Sequence, residues 1–316
     1  AYEALRDTYP DRRVVFLMAP DTPDGTFKAI LERPAGPRVY LDARTAAVNG
    51  TRPAASIFEE GIRGIHTGVV GGSWMETGIG ILAIALLALT LTGLVVWWPG
   101  LKRLARALRF STASLAAGAR DSHRWAGLLA APFIALIALS GIYLVFHHAV
   151  EDTVNAVAGE TSFPPPISPG ESAVPWTTGE VARGLDTARA AVPDATVSFI
   201  SFPGDGKGPV QVRLRYPGEW HPLGNSAVLL DPAGGGVLAA YDTREAGPGH
   251  YALDHLYPLH IGSYAGPVSR GLHFVAGLLP AGFMVTGTYL WWRRRRWRAG
   301  GRQASGGQGP APSAQR

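Results

Sequence analysis

Three long stretches of this chain contain no charged residue, and they limit the possible fold more than any other feature of the sequence. They run from Ile79 to Trp98, from Trp125 to Phe146 and from Leu272 to Trp292. Each has about the 20 residues that an α-helix needs to cross the hydrocarbon core of a bilayer. All three are internal and too long for the apolar part of a signal peptide. The sequence therefore predicts an integral membrane protein with three helical spans.

The distribution of basic residues predicts the orientation of these spans. The connection between the first two spans has six basic residues and one acidic residue, and the segment after the third span has seven basic residues and no acidic residue. The long connection from Ala149 to Leu259 has six basic and thirteen acidic residues. The positive-inside rule places the short connection and the C-terminal segment in the cytoplasm and the long connection outside. The net charge of +5 therefore reflects topology and does not indicate nucleic-acid binding.

One motif occurs twice with the same internal spacing. It consists of His-x-Gly, then Thr-Gly, then Trp-Trp. The first copy is His66–Gly68, Thr92-Gly93 and Trp97-Trp98, and the second is His260–Gly262, Thr286-Gly287 and Trp291-Trp292. A shared apolar composition does not fix register in this way. The pattern predicts an internal duplication of a membrane unit that carries a histidine.

The duplication also bears on the beginning of the chain. The offset between the two copies would place the counterpart of His123 before Ala1. The first span would run from outside to inside, so residues 1–56 would also lie outside. We expect that the chain lacks a first transmembrane helix and about half of an outer domain, and that the full-length form has four spans.

The two segments expected outside resemble each other. Both have runs of alternating apolar and polar residues bounded by turn residues, which is typical of antiparallel strands. The matched runs are Val14–Phe16 with Val197–Phe199, Thr26–Leu31 with Val210–Arg215, and Val39–Asp42 with Val228–Asp231. A helix is predicted over Gly179–Ala191, and residues 162–175 are proline-rich and predict a stiff linker. We expect two small α+β modules, each with one helix and about three strands.

These residues together carry a family resemblance. A span that opens with His123-Arg124-Trp125 and has Ser140-Gly141 near its far end resembles the PepSY-associated transmembrane family. So does an α+β module followed by His-x-Gly, Thr-Gly, Trp-Trp and a basic tail. The resemblance implies a bacterial inner-membrane protein tied to iron uptake, and some members act as haem-containing ferric-siderophore reductases. The chain departs from the family pattern in lacking the first helix.

The predicted organisation is an α-helical membrane bundle with two PepSY-like extracytoplasmic modules. Residues 1–56 form the first, truncated periplasmic module, 57–98 a transmembrane segment with the His-x-Gly motif, 99–123 a cytoplasmic loop, 124–148 a transmembrane helix, 149–259 a periplasmic linker and the second module, 260–292 the second transmembrane segment with the motif, and 293–316 a basic cytoplasmic tail.

Several of the nine histidines are candidates for haem ligation. His66 and His260 occupy equivalent repeat positions at the outer face, so both could ligate the iron of one haem b. His123 lies at the cytoplasmic face, where a second haem would need a ligand from the missing helix. His148 and His273 are further candidates. On a single helix His260 and His273 would be about 20 Å apart, too far to share one iron. For each histidine the alternative is an interfacial side chain bonded to headgroups or backbone.

Three classes of function remain open. The first is a haem-dependent reductase that passes electrons across the membrane to an outer acceptor, such as a ferric siderophore or another ferric chelate. The second is a binding or regulatory protein whose modules act on an extracytoplasmic partner such as a peptidase. The third is a proton- or metal-linked transporter, although no span has a carboxylate for a relay. Without cysteine or a dinucleotide fingerprint, the electron donor would be a quinol, a flavin or a separate protein.

Overall fold

The computed structural model describes residues 1–20, 22–32, 36–53, 58–107, 109–161, 176–203 and 208–306. The proline-rich linker predicted over residues 162–175 lies outside this part of the chain. The chain forms two compact units. The sheet unit contains Ala1–Leu82 and Ser140–Gly266, and the helical unit contains Ala83–Leu139 and the described residues from Pro267 onward.

The sheet unit is built on one antiparallel sheet of eight strands in the order β4-β3-β2-β1-β5-β6-β7-β8. The strands are β1 Val14–Met18, β2 Thr26–Leu31, β3 Arg38–Asp42, β4 Val48–Arg52, β5 Thr196–Ser201, β6 Val210–Arg215, β7 Ser226–Leu230 and β8 Val237–Tyr241. Each half of the sheet is a four-stranded meander preceded by a helix, α1 (Tyr2–Thr8) or α7 (Thr178–Ala191).

Two expectations from the sequence are corrected by this sheet. Each half has four strands, where the sequence predicts about three. The fourth strands, β4 and β8, lie at the edges of the sheet, and their largely exposed residues show no clear alternation that would predict a strand. The halves are also continuous, since β1 pairs with β5 through Leu17 and Ile200. Pairing removes two edges that would otherwise expose unpaired backbone groups. The two expected modules are therefore halves of one sheet.

The two halves share one hydrophobic core on the face covered by α1 and α7. Strand β6 shows how the pattern builds it, since Val210, Val212 and Leu214 alternate with polar residues and are buried. The Tyr2 hydroxyl donates to the Trp176 carbonyl at 2.7 Å, and both rings pack against Phe202. The first residues of the chain are thus packed against the second half of the sheet.

In the described part of the chain three helices are long and apolar enough to cross a membrane, and the chain is a multi-pass membrane protein. They are α3 (Ser73–Trp97), α5 (Leu115–Val145) and α9 (Gly266–Gly306). Each extends beyond the predicted uncharged run. In α5 the added turns contain the buried Asp121, which forms ion pairs with Arg120 and Arg124. An apolar run marks the part of a helix that fits in hydrocarbon, and the helix itself continues where charges can be paired or solvated.

Four shorter helices complete the fold: α2 (Phe58–Thr67), α4 (Leu104–Ala107), α6 (His147–Ala158) and α8 (Pro248–Ile261). Helices α2 and α8 correct the expectation that each His-x-Gly motif lies in a spanning helix. His66 and His260 lie instead near the ends of α2 and α8, and a turn separates each from the spanning helix that follows. His260 and His273 are therefore on different helices.

Candidate functional site

The glycine of each His-x-Gly motif ends the helix that carries the histidine. Gly68 has φ +80° and Gly262 has φ +69°, a left-handed conformation that glycine adopts without a Cβ penalty. A Cβ at Gly68 would lie 2.5 Å from backbone atoms of Glu76, so the chain also needs glycine there for close approach. The motif thus places a histidine in the last turn of a short helix, immediately before a spanning helix begins.

The two motif histidines meet. The imidazole rings of His66 and His260 are nearly parallel, with an interplanar angle of 25° and centroids 6.0 Å apart. His66 is exposed and His260 is half-buried. Two repeat-equivalent side chains that are far apart in sequence therefore form one imidazole pair in the sheet unit.

His260 is held by α5. The Ser140 hydroxyl, which is fully buried, lies 3.1 Å from His260 Nδ1. The neighbouring Gly141 leaves room for the ring, because a Cβ there would lie 3.2 Å from His260 Cε1. A hydrogen bond at Nδ1 fixes the orientation of an imidazole and directs Nε2 as the nitrogen for a metal.

The helix that carries His260 is itself anchored at two points. At the N-terminus of α8, the Glu160 carboxylate accepts hydrogen bonds from the N–H groups of Gly249 at 2.9 Å and His250 at 3.0 Å. These bonds hold the pKa of Glu160 below its ordinary value. The Asp254 carboxylate accepts the hydroxyls of Tyr241 at 2.8 Å and Thr243 at 2.9 Å. Burial raises the pKa of Asp254, although these two hydrogen bonds oppose the effect. The two carboxylates tie α8 to α6 and to the sheet.

A second histidine site lies in the helical unit. His123 of α5 has Nδ1 2.8 Å from the Thr286 hydroxyl of α9. That hydroxyl donates its single hydrogen to the Gly282 carbonyl at 2.8 Å, so it accepts the N–H of His123. Phe283 packs beside the ring at 4.9 Å, and Gly287 leaves space next to it. The arrangement favours the neutral tautomer with hydrogen on Nδ1 and a lone pair on Nε2.

The two remaining candidates are placed elsewhere. His273 lies in α9, and its Nδ1 is 3.0 Å from the Ser269 carbonyl of the same helix. His148 is exposed in the first turn of α6, where its ring lies 4.1 Å from that of His147.

The hydroxyl groups beside the histidines are candidate site residues that sequence reasoning did not identify. Each is the first residue of a hydroxyl-Gly dipeptide on a spanning helix: Ser140-Gly141 beside His260 and Thr286-Gly287 beside His123. The dipeptides were visible as motifs, but only the fold shows which histidine each one contacts. The third copy, Thr92-Gly93, is exposed, and its hydroxyl donates to Ala88 of its own helix at 2.6 Å.

Comparison with known proteins assigns the chain to a family. No curated protein matches it in sequence. The sequence model of the PepSY-associated TM region matches residues 2–294, which includes the sheet, both histidine sites and all three spanning helices. This match agrees with the resemblance seen in the motifs, and the chain belongs to the PepSY-associated transmembrane family.

Proposed function

We propose that this protein is a haem-dependent membrane reductase that passes electrons to an acceptor on the extracytoplasmic side. The observation that carries the proposal is the pairing of His66 with His260. A metal–imidazole bond is about 2.0 Å long, so two imidazoles on opposite sides of one iron have ring centroids roughly 6 Å apart. The observed separation of 6.0 Å fits this arrangement.

The surroundings of the pair also fit a haem b iron. Ser140 orients His260 through Nδ1, and the exposed ring of His66 leaves one side of the pair open. A haem with two histidine ligands would supply one-electron transfer, and His66 and His260 would hold it.

The parallel order of elements supports an internal duplication. The sequence α1, four strands, α2 and α3 is repeated as α7, four strands, α8 and α9. The central strands β1 and β5 are equivalent in this order and pair antiparallel, as a pseudo-twofold axis would require. We infer that the same relation brings His66 and His260 together.

His123 is the proposed ligand of a second haem near the cytoplasmic face. Its Nδ1 donates to Thr286, which leaves Nε2 with a lone pair for iron. A haem with two histidine ligands would need a second imidazole at this site. Two haems would give a path for electrons from one face to the other.

The proposed acceptor is a ferric chelate such as a ferric siderophore, and the proposed donor is a quinol, a flavin or a protein on the cytoplasmic side. The family resemblance supports the acceptor. The arginines around α4 and after Trp292 support a cytoplasmic location for these two segments. The protein would then lie in a bacterial inner membrane, with its sheet in the periplasm.

Absorption spectroscopy of the purified full chain tests the proposal. We expect the Soret and α bands of a haem b that is ligated by two histidines, with His66→Ala and His260→Ala each abolishing the signal of the outer haem. His255→Ala is the matched control, because His255 lies earlier on α8 and bonds to Tyr251 of its own helix. This variant should keep the spectrum.

Two results would contradict the shared site. One is loss of haem in only one of the two histidine variants. The other is a chain without haem bands when it is produced in haem-replete cells. The second result would favour the alternative function, a PepSY-type binding or regulatory protein without redox chemistry that acts on an extracytoplasmic partner through its sheet.

A further inference from the structure

Helix α2 has an apolar face that is exposed. Phe58, Ile62 and Ile65 follow one another at spacings of four and three residues, so they share one face of the helix. They are 83%, 53% and 58% exposed, respectively. The strip continues after the helix with Val69 and Val70, which are also exposed. A soluble protein would turn such a strip toward its core.

The polar face of the same helix is the one attached to the protein. Glu60 of α2 forms an ion pair with Arg38 of β3 at 3.0 Å, and the two side chains are only 20% and 10% exposed. Arg63 also pairs with Glu60. The charged side chains thus fasten α2 to the sheet, while the apolar side chains point away from it. This is the reverse of the orientation expected for a helix surrounded by water.

The apolar strip is followed along the chain by a helix that can cross a membrane. Helix α3 begins at Ser73 and is long and apolar enough to span a bilayer. Its first turns expose Trp74, Ile81 and Leu82. A tryptophan at the start of a span is typical of the membrane–water interface. The strip on α2 therefore lies a few residues before the expected membrane–water boundary.

We propose that α2 is an interfacial helix whose face of Phe58, Ile62 and Ile65 inserts into the bilayer surface. Amphipathic helices of this kind lie in the plane of the membrane, with the apolar face about 5–10 Å into the boundary between headgroups and acyl chains. The partner of this face is lipid. The Arg38–Glu60 ion pair transmits the position of α2 to the sheet, so the bilayer surface also sets the depth of His66 at the end of the helix.

Site-specific fluorescence in lipid nanodiscs tests this inference and does not depend on haem. The chain has no cysteine, so Ile62→Cys in the full chain can carry a single environment-sensitive label. Nanodiscs would contain lipids with a nitroxide quencher either near the headgroup or near the acyl terminus. We expect several-fold stronger quenching of the label at position 62 by the shallow quencher than by the deep one. Phe58→Cys and Ile65→Cys should behave in the same way.

Arg63→Cys is the matched control, because it lies next in sequence but on the side of Glu60. Its label should be quenched weakly by both lipids, as expected for a water-exposed position. Weak quenching at position 62 by both lipids would overturn the inference, because it would mean that protein covers the face. Stronger quenching by the deep lipid would also overturn it and place α2 within the hydrocarbon. Equal quenching at positions 62 and 63 would contradict a fixed orientation of the helix.

Discussion

At the scale of single residues, each candidate site consists of an imidazole together with a hydroxyl that fixes it. Imidazole can bind metal through either nitrogen, and the hydrogen bond at one nitrogen determines which one is available. Ser140 acts on His260 and Thr286 acts on His123 in the same way, although the two pairs lie in different units. Beside His260 the following glycine also leaves room for the ring, because a Cβ at Gly141 would lie 3.2 Å from Cε1. The hydroxyl is therefore part of each candidate site, together with the histidine.

The first prediction concerns Ser140. Ser140→Ala removes the hydroxyl that lies 3.1 Å from His260 Nδ1 and orients the ring. Loss of such a partner typically lowers metal affinity by about 10–100-fold. We expect haem loss to a competing apoprotein to become faster to that extent. Thr90→Val is the control, because the Thr90 hydroxyl donates to the Leu86 carbonyl of its own helix at 2.8 Å. Unchanged haem retention in Ser140→Ala would show that the hydroxyl does not position the ligand.

The second prediction concerns pH. Burial, together with the positive charges of Arg213 and Arg215, lowers the pKa of His221 to about 3. In the unfolded chain the pKa is about 6.5, so between these values the unfolded state binds a proton that the folded state does not. His221 therefore destabilises the fold as the pH falls below about 6.5, by up to about 1.4 kcal/mol for each pH unit.

Thermal unfolding of the full chain between pH 7 and pH 4 measures this effect. His221→Asn keeps an acceptor for the Leu223 N–H group but does not titrate. We expect the midpoint temperature of this variant to fall less steeply with acidification than that of the unchanged chain. Parallel curves for the two proteins would disprove the contribution of His221.

At the scale of elements, the short helices α2 and α8 determine where the motif histidines lie. Each ends at a glycine in the left-handed region, and the chain then turns into a spanning helix. A histidine inside a continuous spanning helix would have its position fixed by that helix alone. A histidine on a separate helix is positioned by what holds that helix, which is Glu60 for α2 and Glu160 with Asp254 for α8.

The third prediction compares two glycines that end helices in the left-handed region, Gly68 after α2 and Gly159 after α6. Gly68 has φ +80° and Gly159 has φ +70°, a conformation that costs about 1–2 kcal/mol for a residue with a side chain. A Cβ at Gly159 meets no atom within 4 Å, whereas one at Gly68 would lie 2.5 Å from the backbone of Glu76. We therefore expect Gly68→Ala to lower the thermal midpoint of the full chain more than Gly159→Ala. Equal shifts would show that the close approach to Glu76 can be relieved without cost.

At the scale of the whole molecule, one sheet joins two halves that are separated in sequence by two spanning helices. The pairing of β1 with β5 and the shared core make the stability of each half depend on the other. Both halves must therefore reach the same side of the membrane before the sheet can form. The basic residues of the loop between the first two spans and of the segment after the third span would direct both halves of the sheet to the same side of the membrane.

The fourth prediction tests this topology. Ala190 is exposed on α7, and Ala113 is exposed between α4 and α5. The chain has no cysteine of its own, so Ala190→Cys and Ala113→Cys each introduce a single thiol. In intact spheroplasts we expect an impermeant thiol reagent to label position 190 and to leave position 113 unlabelled until the membrane is opened. The reverse pattern would place the sheet in the cytoplasm and overturn the orientation.

The sequence by itself determined the membrane class, the approximate places of the three spans, the family and the histidines worth considering. These are local properties, since the length of an apolar run and the spacing of a motif can be read without knowing what lies next to them. Only the tertiary structure decided that the two α+β segments form one sheet, that His66 meets His260, and that Ser140 and Thr286 hold the histidines. These contacts join residues far apart in the chain. Strand pairing, shared burial and the helix ends at Gly68 and Gly262 determine which residues meet. No local sequence pattern specifies these contacts.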